Sequence, residues 1–293
     1  MIGKIKYLLL ILILQIVVVI VLSQEGENNT LNRSSQALIN IKNINDIDKI
    51  NISDSHRHVL IKKKDGRWYL PGYQDLPANT DLLNDLLNKL KVIKTGWPVA
   101  KTKSASERFH VEENSHNRHL ALFSSNDYQE DLFFGDSPGL HKIYVRKKSE
   151  DNIYDVKLGV NLLSVSEKDW LDKNLLQSHS EINSILGDDF ELIIKSGAWA
   201  LADLTSEEEM NAGEVDLLVS YLDKIQVKDV AKTENSVPDL SFTVVASGKK
   251  ITYDFFKQEN NHWVKSSLYA ETFKIEPYFY ENILKLQRRN FIK

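Results

Sequence analysis

The feature that most constrains the fold of this chain is a segment plan that occurs twice. Residues 58–94 contain an apolar strand, a reversal at Asp65-Gly66, a returning strand, a Pro/Gly turn and an amphipathic helix. Residues 190–228 follow the same order, with the reversal at Ser196-Gly197. A small polar residue and a glycine between two apolar runs are typical of a tight hairpin. Turns, tryptophans and helices in matching order predict an internal repeat.

The helix of each copy is predicted from apolar residues spaced three and four apart. They are Leu82, Leu83, Leu86, Leu87, Leu90 and Ile93 in the first copy, and Val215, Leu218, Tyr221, Leu222 and Ile225 in the second. Short alternating segments follow each helix, which is typical of an antiparallel meander. We therefore expect an α+β fold of two tandem related modules, each a mostly antiparallel sheet with a helix packed on one face.

Two further helices are predicted at corresponding places in the two copies. One is the polar segment Ser164–Leu176, which joins the copies, and the other runs from Pro277 to about Arg288. A chain of 293 residues has room for about two domains. The first α+β repeat is predicted over residues 47–178 and the second over residues 179–293.

Residues 1–23 are predicted to be a membrane anchor or a signal segment. Lys4 and Lys6 precede the apolar run Tyr7–Leu22, which with its flanks is at the short end of what crosses a bilayer core of about 30 Å. An uncleaved anchor is favoured, because the residues before Ser23 fit a cleavage pattern poorly. In either case the lysines stay inside and the rest is exported.

The location expected for the protein is therefore the cytoplasmic (inner) membrane, crossed in a single pass, with the body in the periplasm or outside the cell. Residues 24–46 are rich in Asn, Ser, Gln and Glu and are predicted to be a flexible tether. The net charge of −4 gives no global basic field, so we expect no nucleic-acid partner. The absence of cysteine excludes disulfides, thiolate catalysis and zinc–cysteine sites.

Two histidine pairs have spacings that suit a transition metal. His56 and His58 would lie on one side of a strand, and His116 and His119 would share one helical face. No third histidine or nearby pair of carboxylates completes either set. We therefore expect solvent-facing histidines and predict no metal site and no cofactor.

Two acidic clusters, Asp188-Asp189 and Glu207–Glu209, are candidates for acid–base chemistry. That chemistry needs two carboxylates at a defined separation in a cleft, which adjacent acids do not supply. Glu207–Glu209 are instead expected to complement the N-terminal dipole of the helix that follows. The sequence also contains no phosphate-binding loop, nucleophile elbow or zinc-protease motif, and we predict no catalytic residues.

Two short basic runs, Lys62–Lys64 and Lys147-Lys148, lie at predicted strand ends. Contact with phospholipid head groups is one interpretation. The favoured interpretation is protection of a sheet edge or hairpin. Of the tryptophans, we expect Trp68, Trp199 and Trp263 to anchor sheet to helix, with a ligand-stacking platform as the alternative, whereas Trp97 has no predicted role.

Taken together, these features resemble the bacterial family called domain of unknown function 4340 from about Ile47 onward. The matching segments are Asp65–Leu70, Pro77–Asn79, Leu132–Gly135, Ile143–Val145 and Trp170–Leu176. The resemblance implies an exported, membrane-anchored protein, often found beside ABC-type export systems, and it implies no catalytic residues. Phe109–Glu112 departs from the tyrosine-glycine-leucine turn of the family, so the conformation of that loop is not carried over.

The function expected from these observations is that of a non-enzymatic accessory or scaffold protein. It would bind an envelope protein, with the subunits of an ABC-type transporter as the expected partners. Two alternatives remain open. One is an exported enzyme that acts on envelope polymers at a cleft between the repeats, and the other is a module that binds a small solute or a lipid.

Overall fold

The computed structural model describes residues 15, 36–125, 127–139, 141–178, 181–231 and 237–293. Apart from residue 15, the predicted anchor lies outside the described residues, as does the part of the predicted tether before residue 36. Among the helices of the described part, none is long and apolar enough to cross a membrane.

The chain divides into two compact units. The first comprises Met1–Asp75 and Thr80–Glu167, and the second comprises Leu76–Asn79 and Lys168–Lys293. The structure contains two eight-stranded sheets, and the strand pairs described in them are antiparallel. Together with a small number of helices, these sheets confirm the predicted α+β class.

The strands in the first half of the chain are mostly short. They are β1 (Gln36–Ala37), β2 (Lys49–Ser53), β3 (His58–Lys64), β4 (Arg67–Leu70), β5 (Leu76–Pro77), β6 (Lys94–Thr95), β7 (Val111–Glu112), β8 (Ser115–His116), β9 (Arg118–Ser124), β10 (Asp127–Phe134), β11 (Lys142–Lys147) and β12 (Ile153–Lys157). The first large sheet has the order β12-β11-β10-β9-β2-β3-β4-β5. Two small sheets pair β1 with β6 and β7 with β8.

The strands in the second half form the second large sheet. They are β13 (Ile182–Leu186), β14 (Glu191–Lys195), β15 (Ala198–Leu201), β16 (Val227–Ala231), β17 (Leu240–Ala246), β18 (Lys249–Gln258), β19 (Asn261–Ser266) and β20 (Thr272–Ile275). Their order is β15-β14-β13-β17-β18-β19-β20-β16.

Seven strands occupy matching places in the two sheets. β2, β3 and β4 form a meander in the first sheet, as β13, β14 and β15 do in the second. In each case the chain then forms a helix and returns to pair with the other side of the first strand, as β9 beside β2 and β17 beside β13. A further meander follows, through β12 and through β20 respectively.

The described helices are few. The α-helices are α1 (Thr80–Val92), α2 (Lys103–Arg108), α3 (Glu167–Trp170), α4 (Ala212–Lys224) and α5 (Pro277–Ile283), and the 3-10 helices are Ile44–Asp46, Pro71–Tyr73, Val160–Leu163 and Arg288–Phe291. α1 and α4 are the two amphipathic helices that the apolar spacing predicts. Their apolar faces are buried, as shown by Leu83, Leu86 and Leu90 in α1 and by Val215 and Leu218 in α4.

Alternation along the strands gives the first sheet two chemically different faces. Ile50 and Ile52 of β2 are fully buried and lie opposite Leu122 and Leu120 of β9 in the register. The residues between them, such as Asn51, lie on the other face. We call this second face the outer face, and it carries the polar side chains considered below.

The two additional helices are shorter than predicted. In Ser164–Leu176 only α3 is helical, because the chain then pairs in extended form with the segment before α1: Leu171 bridges to Ala78, and Asp172 donates its N–H to the Pro77 carbonyl at 2.9 Å. The final helix ends at Ile283, well before Arg288. Tertiary contacts override the helical spacing at the first of these places.

Candidate functional site

The histidine pair His56 and His58 lies at the turn between β2 and β3 and is exposed. The Nδ1 atom of His56 is 2.7 Å from the Ser55 hydroxyl. Within the described part of the chain, no three His, Asp or Glu side chains are placed to hold a metal ion.

The second histidine pair lies in strands, not on the single helical face that the spacing suggested. His116 is in β8 and His119 in β9, with their ring centroids 5.7 Å apart. Both rings contact the buried Phe133, at centroid distances of 5.2 Å for His116 and 4.9 Å for His119. The Nε2 atom of His119 is hydrogen-bonded to the carboxylate of Asp131 on the neighbouring strand. Sequence spacing could not reveal this aspartate, since it reaches His119 through strand pairing.

Basic side chains complete this cluster on the outer face. Lys148 is 3.9 Å from Asp131 and 2.7 Å from Glu113, and its hydrogen bond lowers the pKa of the Glu113 carboxyl. Arg146, which is buried, donates to the Val111 carbonyl at 2.9 Å. A cavity of about 290 Å³ adjoins the cluster and is lined by Gln129, Glu130, Asp131, Lys148 and Ser149.

The contacts of the histidine cluster join β8 to three strands of the first large sheet. His116 of β8 contacts His119 of β9, His119 is hydrogen-bonded to Asp131 of β10, and the guanidinium of Arg146 in β11 lies over the ring of Phe133. The cluster therefore ties the small β7–β8 sheet to the outer face of the large one.

The acidic clusters bind the C-terminal segment. The guanidinium of Arg288 donates to both carboxylate oxygens of Glu208 at 3.0 Å and to Asp203 at 2.9 Å, and its backbone N–H donates to Asp189 at 3.1 Å. The hydrogen bonds from Arg288, together with the N–H of Thr205, lower the pKa of Glu208 to about 2. This bidentate pairing shows that Glu208 and Asp203 hold the C-terminal segment in place through Arg288.

The basic run Lys62–Lys64 lies in the β3–β4 hairpin. Lys62 is opposite Tyr69 and Lys64 is opposite Arg67, so these four side chains share the outer face. The hairpin and the turn after it line a cavity of about 660 Å³, whose lining residues are Lys62, Lys63, Lys64, Asp65, Tyr69, Pro71 and Asp75. We call this place the basic hairpin, and its chemistry suits an anionic ligand.

Lys63 is placed differently from its two neighbours. It lies on the other face with Trp68, and its ammonium is 5.4 Å from the Trp68 ring centroid and 3.3 Å from the Asn45 carbonyl oxygen. The second basic run, Lys147-Lys148, is engaged by carboxylates, since Lys147 is 3.7 Å from Glu150. The two basic runs, which look alike in the sequence, are therefore different in structure.

Of the five tryptophans, only Trp97 is exposed. Trp68 is 3% exposed, Trp170 is 1% exposed, and Trp199 and Trp263 are half-buried, whereas Trp97 is 62% exposed. Val92 and Val99, on either side of Trp97 in the chain, are also exposed. We call residues 92–99 the Trp97 segment.

The backbone of the Trp97 segment is fixed at its end. The N–H of Val99 donates to the Ile153 carbonyl at 2.8 Å, and Ile153 donates back to Ala100 at 2.9 Å. The exposed indole is therefore carried by a backbone that these hydrogen bonds hold in place. Tryptophan is enriched among the residues that contribute most to protein–protein binding energy.

Comparison with known proteins gives one informative match. The chain matches the family model described as Domain of unknown function (DUF4340) over residues 68–242, which is more than half of its length. No curated protein and no solved structure matches the chain.

Proposed function

Because the chain belongs to the DUF4340 family, we propose that it is a non-enzymatic, membrane-anchored accessory protein that binds an envelope protein through the Trp97 segment. The anchor is the apolar run Tyr7–Leu22, and the body after it is exported. The body consists of two related modules, a proposal supported by the seven strands that occupy matching places in the two sheets. The expected partner is a subunit of an ABC-type export system.

The observation that carries this proposal is the exposure of Trp97 on fixed backbone. Tryptophan buries a large area when it enters a partner's pocket, and truncating such an anchor costs about 2 kcal/mol or more, roughly a 30-fold loss of affinity. The hydrogen bonds to Ile153 hold the segment in one conformation before binding, so little entropy is lost on docking.

The test is site-specific crosslinking in intact membranes. A photo-reactive amino acid is placed at Trp97 and, as a matched control, at Tyr278, an aromatic residue of the second unit that is 73% exposed. We expect position 97 to give an adduct with one envelope protein, identified by mass spectrometry, and position 278 to give none. In the otherwise unmodified chain, Trp97→Ala should reduce co-purification of that protein about 30-fold, and Tyr278→Ala should not. Identical adducts at both positions would refute docking through the Trp97 segment.

The alternative of an exported enzyme has one observation in its favour, the His119–Asp131 pair beside the 290 Å³ cavity. If the chain cleaved an envelope polymer at this place, His119→Ala would abolish the cleavage, because an imidazole is the side chain most often used as a general base. A turnover that survives His119→Ala would remove this site from consideration.

A further inference from the structure

The basic hairpin carries cations that no carboxylate among the described residues neutralises by direct pairing. In the described part of the chain, no ion pair within 4.0 Å involves Lys62, Lys64 or Arg67. All three are exposed and lie on the outer face beside Tyr69. We infer that the basic hairpin binds the phosphate head groups of an anionic bilayer.

The local charge favours an anion in spite of two nearby carboxylates. Asp65 and Asp75 line the same cavity as the three lysines 62–64. Arg67, on the outer face next to Lys64, adds a further cation. The cations therefore outnumber the carboxylates at this place, although the whole chain has a net charge of −4.

The second unit shows that a hairpin of this type does not need all three cations in order to fold. Its matching β14–β15 hairpin turns at Ser196-Gly197, as β3–β4 turns at Asp65-Gly66, and both turns have positive φ at their two central residues. At the places of Lys62, Arg67 and Tyr69 it carries Ile193, Ala198 and Ala200, and it keeps one exposed lysine, Lys195, at the place of Lys64.

The comparison separates a binding role from a role in folding. If all three cations were needed to protect a hairpin of this type from edge pairing, the second unit would be expected to carry three as well, but it carries only Lys195. Both hairpins keep a tryptophan and a leucine in the returning strand, Trp68 and Leu70 in the first and Trp199 and Leu201 in the second. The group of three exposed cations is thus specific to the first unit.

A bilayer fits the shape of this site better than a small anion does. The three cations project from a sheet face and are exposed, so that they present charge over an area. Tyr69 and Pro71 lie at the same place, and tyrosine is favoured at the boundary between head groups and acyl chains. Lysine and arginine on such a surface attract anionic head groups.

The inference rests on the proposed anchor, which would hold the hairpin near a membrane. Residues 24–35, between the apolar run and the described body, would reach roughly 40 Å if fully extended. An anchor and a basic surface together give a more stable membrane contact than either alone. The hairpin would therefore set how the first unit lies on the bilayer.

The experiment uses the full chain in lipid nanodiscs that contain either neutral phosphatidylcholine alone or an added fraction of anionic phosphatidylglycerol. Because the natural chain contains no cysteine, Asp65→Cys places a single fluorescent label at the hairpin turn. Ser196→Cys places the same label at the matching turn of the second unit as a control. A spin label on the lipid head group quenches a fluorophore that approaches the surface.

We expect quenching at position 65 in anionic discs and much less in neutral discs. Each cation near an anionic surface contributes about fivefold, so Lys62→Gln, Lys64→Gln and Arg67→Gln together should lower the bound-to-free ratio roughly 100-fold. Raising the salt to 1 M should have a similar effect, because the screening length falls to about 3 Å. The melting temperature of the triple variant should match that of the parent, since the three side chains are exposed.

Three outcomes would overturn the inference. They are equal quenching in the two kinds of disc, unchanged quenching in the triple variant, and equal gain of quenching at position 196. Reversal by 10 mM inorganic phosphate at constant ionic strength would assign the site to a soluble anion instead. Failure of the anchor is distinguishable, because the chain would then not co-purify with neutral discs at all.

Discussion

The glycines at the hairpin turns allow a quantitative test of the repeated architecture. Gly66 and Gly197 have φ values of +79° and +82°, in the left-handed region, and a Cβ added to either would meet no heavy atom within 4 Å. Replacement by alanine therefore introduces backbone strain without a steric clash. The left-handed conformation costs a non-glycine residue about 1–2 kcal/mol. Alanine also restricts the unfolded chain, which raises the free energy of unfolding by about 0.4–1 kcal/mol. The net destabilisation should therefore be about 1 kcal/mol.

Gly96 provides the matched control. A Cβ at Gly96 would also meet nothing within 4 Å, but its φ lies outside the left-handed region. Gly96→Ala should therefore leave stability unchanged or raise it slightly. In thermal unfolding monitored by tryptophan fluorescence, Gly66→Ala and Gly197→Ala should each lower the melting temperature of the affected unit by about 2–4 °C. Equal melting temperatures for all three variants would refute the assigned turn geometry in both units.

Three further predictions concern stability. Arg288→Ala should remove a contribution to the free energy of unfolding that depends on pH. Because the pKa of Glu208 is lowered from 4.5 to about 2 in the folded chain, its pairing with Arg288 stabilises the fold above pH 4.5, and this stabilisation is lost as the pH falls towards 2. The melting temperature of the variant should therefore change less with pH over that window than the melting temperature of the parent. Trp170→Ala should cost about 3–5 kcal/mol in urea unfolding, since the indole is almost fully buried, and a cost below 1 kcal/mol would contradict that burial. Tyr253→Phe should cost about 1–2 kcal/mol, because the buried hydroxyl donates to the Leu176 carbonyl at 2.9 Å; a neutral effect would argue against this hydrogen bond.

The parts of the fold that follow local rules were predictable from the sequence. The reversals at Asp65-Gly66 and Ser196-Gly197 are confirmed, and both central residues of each have positive φ. The spacing of leucines also predicted α1 correctly. In these segments the turn residues and the period of the apolar pattern act within a few residues, so no distant contact is needed to decide the structure.

The features that depend on distant contacts were not predictable. A spacing of three residues between His116 and His119 suits a helix, but the two belong to successive strands, and Asp131 reaches His119 only through the pairing of β10 with β9. Arg288 likewise meets Asp203 and Glu208, which lie about eighty residues earlier in the chain. Neither partner leaves a local signal in the sequence.

The exposure of Trp97 and the lack of ion pairs within 4.0 Å at the described cations of the basic hairpin could not be predicted from the sequence for a different reason. Five tryptophans look alike in a sequence, and only burial separates Trp97 from Trp68. Lys62–Lys64 and Lys147-Lys148 are both short basic runs, and only the positions of the carboxylates show that the second run is paired. Exposure and charge pairing are properties of the folded surface, so the sequence offered lipid contact for both basic runs and the fold was needed to choose between them.

The most direct test of the central claim is the location of the C-terminus in living cells. A phosphatase that is active only outside the cytoplasm is fused after Lys293, and a reporter that is active only in the cytoplasm is fused at the same position in a parallel strain. An anchored and exported body predicts an active phosphatase, an inactive cytoplasmic reporter and retention of the fusion in the membrane fraction after a high-salt wash. An active cytoplasmic reporter with an inactive phosphatase would contradict the proposal that the two sheet units are carried across the bilayer.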